Sequence, residues 1–289
     1  MSTSTPRTEP TAPATPATPA TPATPATDAA GGSERGAGVR RVRGLARANA
    51  TLMTRNRLTL LYAVVLPVLP LVLLLTGPRG DVAVGAATVV TALMMTLLFP
   101  VYYNLLSQFV TRRDELVLKR LRTGETRDAE ILVALALPGL VVAVLVSLVT
   151  VVVALALGAP APVNPVLYAG AVLLGALMSV ALAYWTAAWT RNAEAAQMTS
   201  LPVILLLVVG QVAISFPDSV QRWTDWTPGA ALTALVRIGW FGLDDGSTTP
   251  SLDLADTWSV GLQPVLVLVL WTAVGLDLAR RSLRWEPQR

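Results

Sequence analysis

Apolar residues along this chain come in runs long enough to cross a bilayer, and polar residues gather between them. A hydrocarbon core of about 30 Å needs about 20 helical residues. Only structures that satisfy their own backbone hydrogen bonds cross it. The pattern therefore predicts an all-α integral membrane protein with six transmembrane helices within residues 58–279. The six runs are Leu58–Thr76, Val82–Val110, Glu130–Leu157, Pro165–Trp189, Ser200–Phe216 and Ser259–Ala279.

Basic residues divide unequally between the two alternating sets of connections. Nineteen of the 22 lie in the set that includes both ends of the chain. The other set has only Arg79, Arg222 and Arg237. Because cytoplasmic loops carry the excess of lysine and arginine, we expect a multi-pass protein of the cell (plasma) membrane with both termini in the cytoplasm.

Two stretches before the first run have different compositions. Residues 1–38 contain the repeat PATPATPATPAT and no apolar core, which predicts a disordered cytoplasmic tail. In residues 39–57 apolar positions recur at helical spacing and arginines lie on the other faces. This is typical of an amphipathic helix in the membrane interface, with topology anchoring alone as the alternative role. At the other end, residues 280–289 predict a basic cytoplasmic tail.

The connection before the last run, residues 217–258, is predicted to be a long outer loop. Thr227 followed by Pro228 predicts a helix start, because threonine caps helices and proline suits the first helical position. The following GAALTALVRIGWFG is too short to span. We expect an interfacial or re-entrant helix, with a plain amphipathic surface helix as the alternative. Four tryptophans are expected at the lipid–water boundary: Trp223, Trp226, Trp240 and Trp258.

The composition limits the chemistry that this chain can perform. It has no cysteine and no histidine, which excludes thiol nucleophiles, imidazole bases and the usual zinc or haem ligands. Its single lysine, Lys119, is followed by arginine, so there is no nucleotide-binding P-loop. The second to fifth runs carry no acid away from their ends, unlike those of ion-coupled transporters. Asp277 is expected to pair with Arg280 and Arg281.

These limits imply a protein that is not an enzyme, has no cofactor and obtains any energy for transport from a partner. The net charge is +4, and the arginines lie beside apolar runs. Membrane lipid, and not nucleic acid, is therefore the expected partner of the arginines.

The largest charged interruption of the apolar region is the predicted coupling segment, residues 111–130. Its first part is predicted to be a helix continuing from the second run. Glu115 and Lys119 would form an i, i+4 pair on that helix, and Gly124 would end it. A solvated charged face is the alternative, but an apolar strip favours a docking surface. That strip consists of Val117, Leu118 and Leu121.

The sequence RDELVLKRLRTG, Arg113–Gly124, resembles the cytoplasmic signature of type-2 ABC transporter permeases, a family that includes antibiotic and polysaccharide exporters. The match is good over Leu118–Thr123. Residues 116–117 depart from the family's Gly-Thr, and residues 124–125 depart from its Thr-Pro turn. The layout over residues 40–289 also resembles the family.

The resemblance implies a separate ATPase subunit that docks on the coupling segment and on the N-terminal helix. It also implies a pathway between two permease copies, in a homodimer or in a pair with a second permease. The candidate residues for ATPase coupling are Arg113, Glu115, Leu118, Lys119, Arg120, Leu121 and Arg122.

Polar residues within the runs are candidates for lining a pathway, with helix–helix hydrogen bonds as the alternative role. The mostly apolar runs favour an amphipathic or hydrophobic cargo, such as a drug, an antibiotic or a lipid-like molecule. We therefore predict the permease subunit of an ABC exporter. The alternative is a polytopic scaffold or an intramembrane enzyme, and the lack of His, Cys and a buried acid pair counts against the enzyme. The candidate lining residues are Asn104, Gln108, Gln197 and Gln211.

Overall fold

The computed structural model describes residues 29–76, 78–123, 126–213, 216–244, 246–283 and 285. The chain divides into two compact units, Met1–Ala37 and Gly38–Arg289. The described residues of the first unit belong to a helix, α1, that begins at Ala29. Residues 29–38 are therefore helical, although the sequence predicted a disordered tail to residue 38. The proline-rich repeat lies outside the described residues.

All regular structure in the described part of the chain is helical, with no strand. Between α1 and α2 the chain forms the broken helix, which consists of the short segments Arg57–Leu60, Leu61–Val65, Leu66–Val68 and Leu69–Leu75. The helices are α1 (Ala29–Arg55), α2 (Val82–Asp114), α3 (Val117–Arg122), α4 (Asp128–Ala156), α5 (Pro165–Trp189), α6 (Ala195–Val212), α7 (Asp218–Thr224), α8 (Pro228–Phe241) and α9 (Leu254–Ser282).

Five of the described helices are long and apolar enough to cross a membrane: α2, α4, α5, α6 and α9. Each overlaps one of the predicted runs, so the all-α membrane fold is confirmed. The first predicted run falls on the broken helix. Pro67 and Pro70 lack the N–H groups that would continue an α-helix. The segment is accordingly a π-helix at Leu61–Val65 and a 3₁₀-helix at Leu69–Leu75.

The short helix α8 lies inside the bundle. Its predicted start is confirmed, because the Thr227 hydroxyl accepts a hydrogen bond from the Ala230 N–H at 3.3 Å. Most of its residues are buried, and it packs against α2, α5, α6 and α9. A plain amphipathic surface helix is therefore wrong. Apolar side chains surround α8 instead of covering one face.

Trp240, which was predicted to lie at the lipid–water boundary, belongs to the buried helix α8. Its ring is fully buried, and its Nε1 donates to the Pro160 carbonyl at 2.9 Å. The prediction that it lies at the lipid–water boundary is therefore wrong, because the helix that carries it is enclosed. The other three tryptophans of that prediction, Trp223, Trp226 and Trp258, are exposed.

Near the end of α9, Asp277 forms an ion pair with Arg281, one of its two predicted partners. The Arg281 Nε lies 2.9 Å from a carboxylate oxygen of Asp277. Helix α9 packs along α5 in the same direction, because Gly261 lies against Leu167 and Gly275 lies against Ala181. The basic end of α9 is therefore near the C-terminal end of α5.

Candidate functional site

The connection between α2 and α4 carries the predicted coupling segment, and its helix is interrupted. Helix α2 ends at Asp114, and α3 begins at Val117. Between them Leu116 has a φ of 60° and is the one described non-glycine residue with a positive φ. Glu115 and Lys119 therefore do not share one continuous helix, contrary to the prediction. The predicted end at Gly124 lies outside the described residues.

Arg113 lies in the interior of the bundle and caps α5. Its side chain is fully buried. Nη1 donates to the Ala187 carbonyl at 2.9 Å, and Nη2 donates to the carbonyls of Thr190 and, at 3.1 Å, Arg191. These carbonyls lie at the C-terminal end of α5, where helix carbonyls lack partners and the helix dipole is negative. Arg113 thus fastens the end of α2 to the end of α5.

The apolar strip predicted to face a partner faces the bundle instead. Leu118 is fully buried, and Leu121 is half-buried against the same core. The remaining candidates lie outside this core, together with Leu116, which is 42% exposed. The connection therefore presents one apolar side chain among charged ones. Its exposed residues, among those that the structure describes, are Glu115, Leu116, Lys119, Arg120, Arg122, Thr123 and Arg127.

Helix α1 contacts the start of α4 through its predicted apolar face. Its buried positions are Ala46, Asn49 and Met53, which recur at helical spacing. The Asn49 Nδ2 donates to the Ala134 carbonyl at 2.8 Å. Two nitrogens of Arg41 donate to the Glu130 carboxylate at 3.0 and 3.1 Å. Asn49 and Glu130 were not among the candidate site residues, although Asn49 is a polar residue on the apolar face of α1 and Glu130 ends the predicted coupling segment.

The four predicted lining residues do not share one place in the fold. The Gln108 side chain donates to the Asn104 Oδ1 at 2.9 Å, so these two residues bond to each other within α2. Gln197 is exposed near the start of α6. Gln211 donates to the Thr91 hydroxyl at 3.4 Å and lines a cavity of about 180 Å³ between α2, α6 and α8.

A second cavity also lies against α8. It has a volume of about 130 Å³ and lies between α6, α8 and α9. Thr233 and Arg237 of α8 line both cavities. The Asn164 N–H, just before α5, donates to the Gly239 carbonyl of α8 at 2.7 Å. The cavities are therefore at the end of α5 opposite Arg113.

A family model described as ABC-2 type transporter matches residues 40–232. The chain belongs to the ABC-2 type transporter family. The resemblance inferred from the α2–α4 connection is thus confirmed, and this ABC-2 chain is a multi-pass transport membrane domain. The matched range includes Arg41, the whole α2–α4 connection and the first residues of α8. No curated protein and no solved structure matches the chain.

Proposed function

We propose that this ABC-2 chain is the permease subunit of an exporter of the cell membrane, driven by ATP that a separate subunit hydrolyses. Membership of the family is the observation that carries the proposal, because its permeases generally work with an ATP-binding subunit. The five apolar helices support a pathway through the membrane. Two copies, or this chain and a second permease, form that pathway between them.

The broken helix is the first of six spans in this proposal. It runs from Arg57 to Leu75 with little interruption. Its 3₁₀ part rises about 2.0 Å per residue, against about 1.5 Å in an α-helix. The 19 residues therefore extend for about 30 Å, the thickness of the hydrocarbon core. Six spans leave both termini on one side, and the distribution of arginines favours the cytoplasm.

The ATPase subunit docks on the surface around Leu116. A leucine in the left-handed region costs about 1–2 kcal/mol, and its exposure leaves apolar surface in water. A partner pocket that covers Leu116 offsets the second cost. Lys119, Arg120 and Arg122 are exposed on the following helix. The matching surface on the ATPase is an apolar pocket with an acidic rim.

Replacing Leu116 by asparagine tests this docking surface without damaging the fold. Asparagine tolerates a positive φ, so Leu116→Asn removes the apolar contact and leaves the backbone conformation accessible. We expect the detergent-solubilised permease to keep its melting temperature. The affinity for the ATPase should fall about 10- to 100-fold, because a fully buried leucine contributes about 1.5–3 kcal/mol. Binding is measured by titrating labelled ATPase subunit.

Two matched variants complete the experiment. Leu116→Met keeps an apolar side chain at the same position and should keep the affinity. Leu254→Asn makes the same substitution at an exposed leucine of α9 and should change nothing. Wild-type affinity in Leu116→Asn would show that the ATPase docks elsewhere.

The cargo of the exporter is amphipathic or hydrophobic. The runs that would face the pathway are mostly apolar, and the polar groups around Gln211 and Arg237 line small cavities at one end of the bundle. Such a surface suits a drug, an antibiotic or a lipid-like molecule with one polar end.

A further inference from the structure

Beyond the end of α9, Trp285 contacts two elements of the coupling region. Its ring lies 6.0 Å from the ring of Phe109, with an angle of 62° between the planes. The Arg122 guanidinium carbon lies 4.8 Å from the centre of the Trp285 ring. Phe109 belongs to α2 and Arg122 to α3. We call this set the Trp285 contact: Trp285, Phe109 and Arg122.

The Trp285 contact extends into the bundle on one side and to α4 on the other. Phe109 is fully buried and meets the ring of Tyr184 edge-on at 5.6 Å. The Arg122 Nε donates to the Asp128 carboxylate at 2.8 Å, and Asp128 begins α4. Edge-to-face rings and a cation above an indole face are both attractive arrangements. Trp285 thus ties α2 and α3 to the chain after α9, and Arg122 connects the same set of contacts to α4.

The position of α3 depends on contacts of this kind. The left-handed residue Leu116 separates α3 from α2, so no continuous helix fixes the angle between them. On the side of α2, Arg113 is fastened to α5. The short α3 has six residues, and its own contacts must hold it. The Leu118 side chain is buried on the inner face of α3, and Arg122 is the last residue of this helix.

We propose that Trp285 is a positioning residue for the coupling segment. It holds α3 through Arg122 while it rests on Phe109 of α2, and so it fixes the angle at which Leu116 and the basic face of α3 are presented. The consequence for ATPase binding rests on the proposed function, whereas the effect on α3 does not. The family match ends at Leu232, so Trp285 lies outside the matched range, whereas Phe109 and Arg122 lie within it.

A thiol reporter beneath α3 tests the proposal on the full-length permease in lipid vesicles. The chain has no cysteine, so Leu118→Cys introduces a single buried thiol. We expect Trp285→Ala to increase the rate of labelling by a soluble maleimide about tenfold. The variant loses the ring contact with Phe109 and the cation–π contact with Arg122, both of which hold α3 against the bundle. Trp285→Phe keeps an aromatic ring for both partners and should keep most of the protection.

Controls separate a local effect from general loosening. Trp223→Ala removes another tryptophan, 77% exposed, and should not change labelling. Ala196→Cys, a fully buried position near the start of α6, should stay protected in Trp285→Ala. If Leu118→Cys alone perturbs α3, Val117→Cys on the same helix is the second reporter. Equal labelling of both reporters with and without Trp285 overturns the proposal.

Titration of the ATPase subunit in the same vesicles separates this inference from the proposed function. Faster labelling together with weaker ATPase binding in Trp285→Ala, both restored in Trp285→Phe, supports the whole proposal. Faster labelling with unchanged ATPase binding overturns the role in presenting the docking face. If the wild-type chain binds no ATPase, the proposed function fails, while the labelling result still decides whether Trp285 holds α3.

Discussion

At the scale of single residues, Arg113 illustrates how a buried cation can be stabilised largely by helix carbonyls. A carboxylate oxygen of the partly exposed Asp114 lies 3.9 Å from the Arg113 Nε. Three carbonyl oxygens at the end of α5 accept its hydrogen bonds. A planar guanidinium can reach several acceptors at once, which the single ammonium group of lysine cannot do with the same geometry.

Substitutions of Arg113 should therefore destabilise the permease in a graded manner. Arg113→Met leaves carbonyl groups unsatisfied in the interior, and we expect a loss of about 2–4 kcal/mol of unfolding free energy. Arg113→Lys should lose less, because one charged donor remains. Denaturant unfolding in detergent measures both. Arg120→Met, at an exposed arginine of α3, should stay within about 0.5 kcal/mol of wild type. Similar losses in Arg113→Met and Arg120→Met would contradict the capping role.

The sequence could predict a charged connection between two long helices but not the orientation of its residues. Arg113 and Arg120 cannot be told apart within the run of charges. The carbonyl groups that accept hydrogen bonds from Arg113 come 74 to 78 positions later in the chain. Likewise, helical spacing placed Leu118 and Leu121 on one face but did not tell whether that face meets a partner or the bundle. The break at Leu116 had no signal, since leucine rarely adopts a positive φ.

At the scale of elements, α6 and α8 meet through two glycines. A Cβ at Gly229 of α8 would overlap the backbone of Leu207 in α6, and a Cβ at Gly210 would overlap the backbone at Gly229 and Ala230. The two helix backbones are therefore in direct contact. Small residues permit this approach in membrane bundles, and here they allow α8 to lie deep among longer helices.

Gly229→Ala should displace α8 from its position. The backbone of Leu207 cannot move aside as a flexible side chain can, so we expect the variant to expose α8. Labelling of Ala231→Cys, which is buried in wild type, should become detectable. Gly170→Ala in α5 is the matched control, because no atom lies within 4 Å of its added Cβ. Protection of Ala231→Cys in Gly229→Ala would mean that the two helices can separate without loosening α8.

Apolar length predicted the long helices well, because each must bury or immerse about 20 residues. The Thr227-Pro228 pair likewise marked the start of α8. Its enclosure could not be predicted, since it depends on how α8 packs against four other helices. In the broken helix, Pro67 and Pro70 indicated irregular helical structure. A prediction based only on the length of the apolar run does not take these prolines into account.

At the scale of the whole molecule, the six spans proposed above make a definite prediction about sidedness. A cysteine at Ser251, exposed before α9, should react with an impermeant maleimide in intact cells. Cysteines at Thr123 and Thr51, both exposed in the structure, should react only after the membrane is opened. The reason is that they belong to the basic set of connections, which the cytoplasmic side retains. Reaction of Thr51→Cys but not Thr123→Cys in intact cells would show that the broken helix does not cross.

The enclosure of α8 also bears on the order in which the protein is assembled. Its 14 residues are too few to be inserted as a span. The helices around it are α2, α5, α6 and α9, and α9 is the only one of these that the ribosome makes after α8. The space between the helices that holds α8 is therefore incomplete until α9 has entered the membrane. Entry of α8 is thus a late step in biogenesis, and a nascent chain that stops before α9 leaves this apolar helix without its full set of partners.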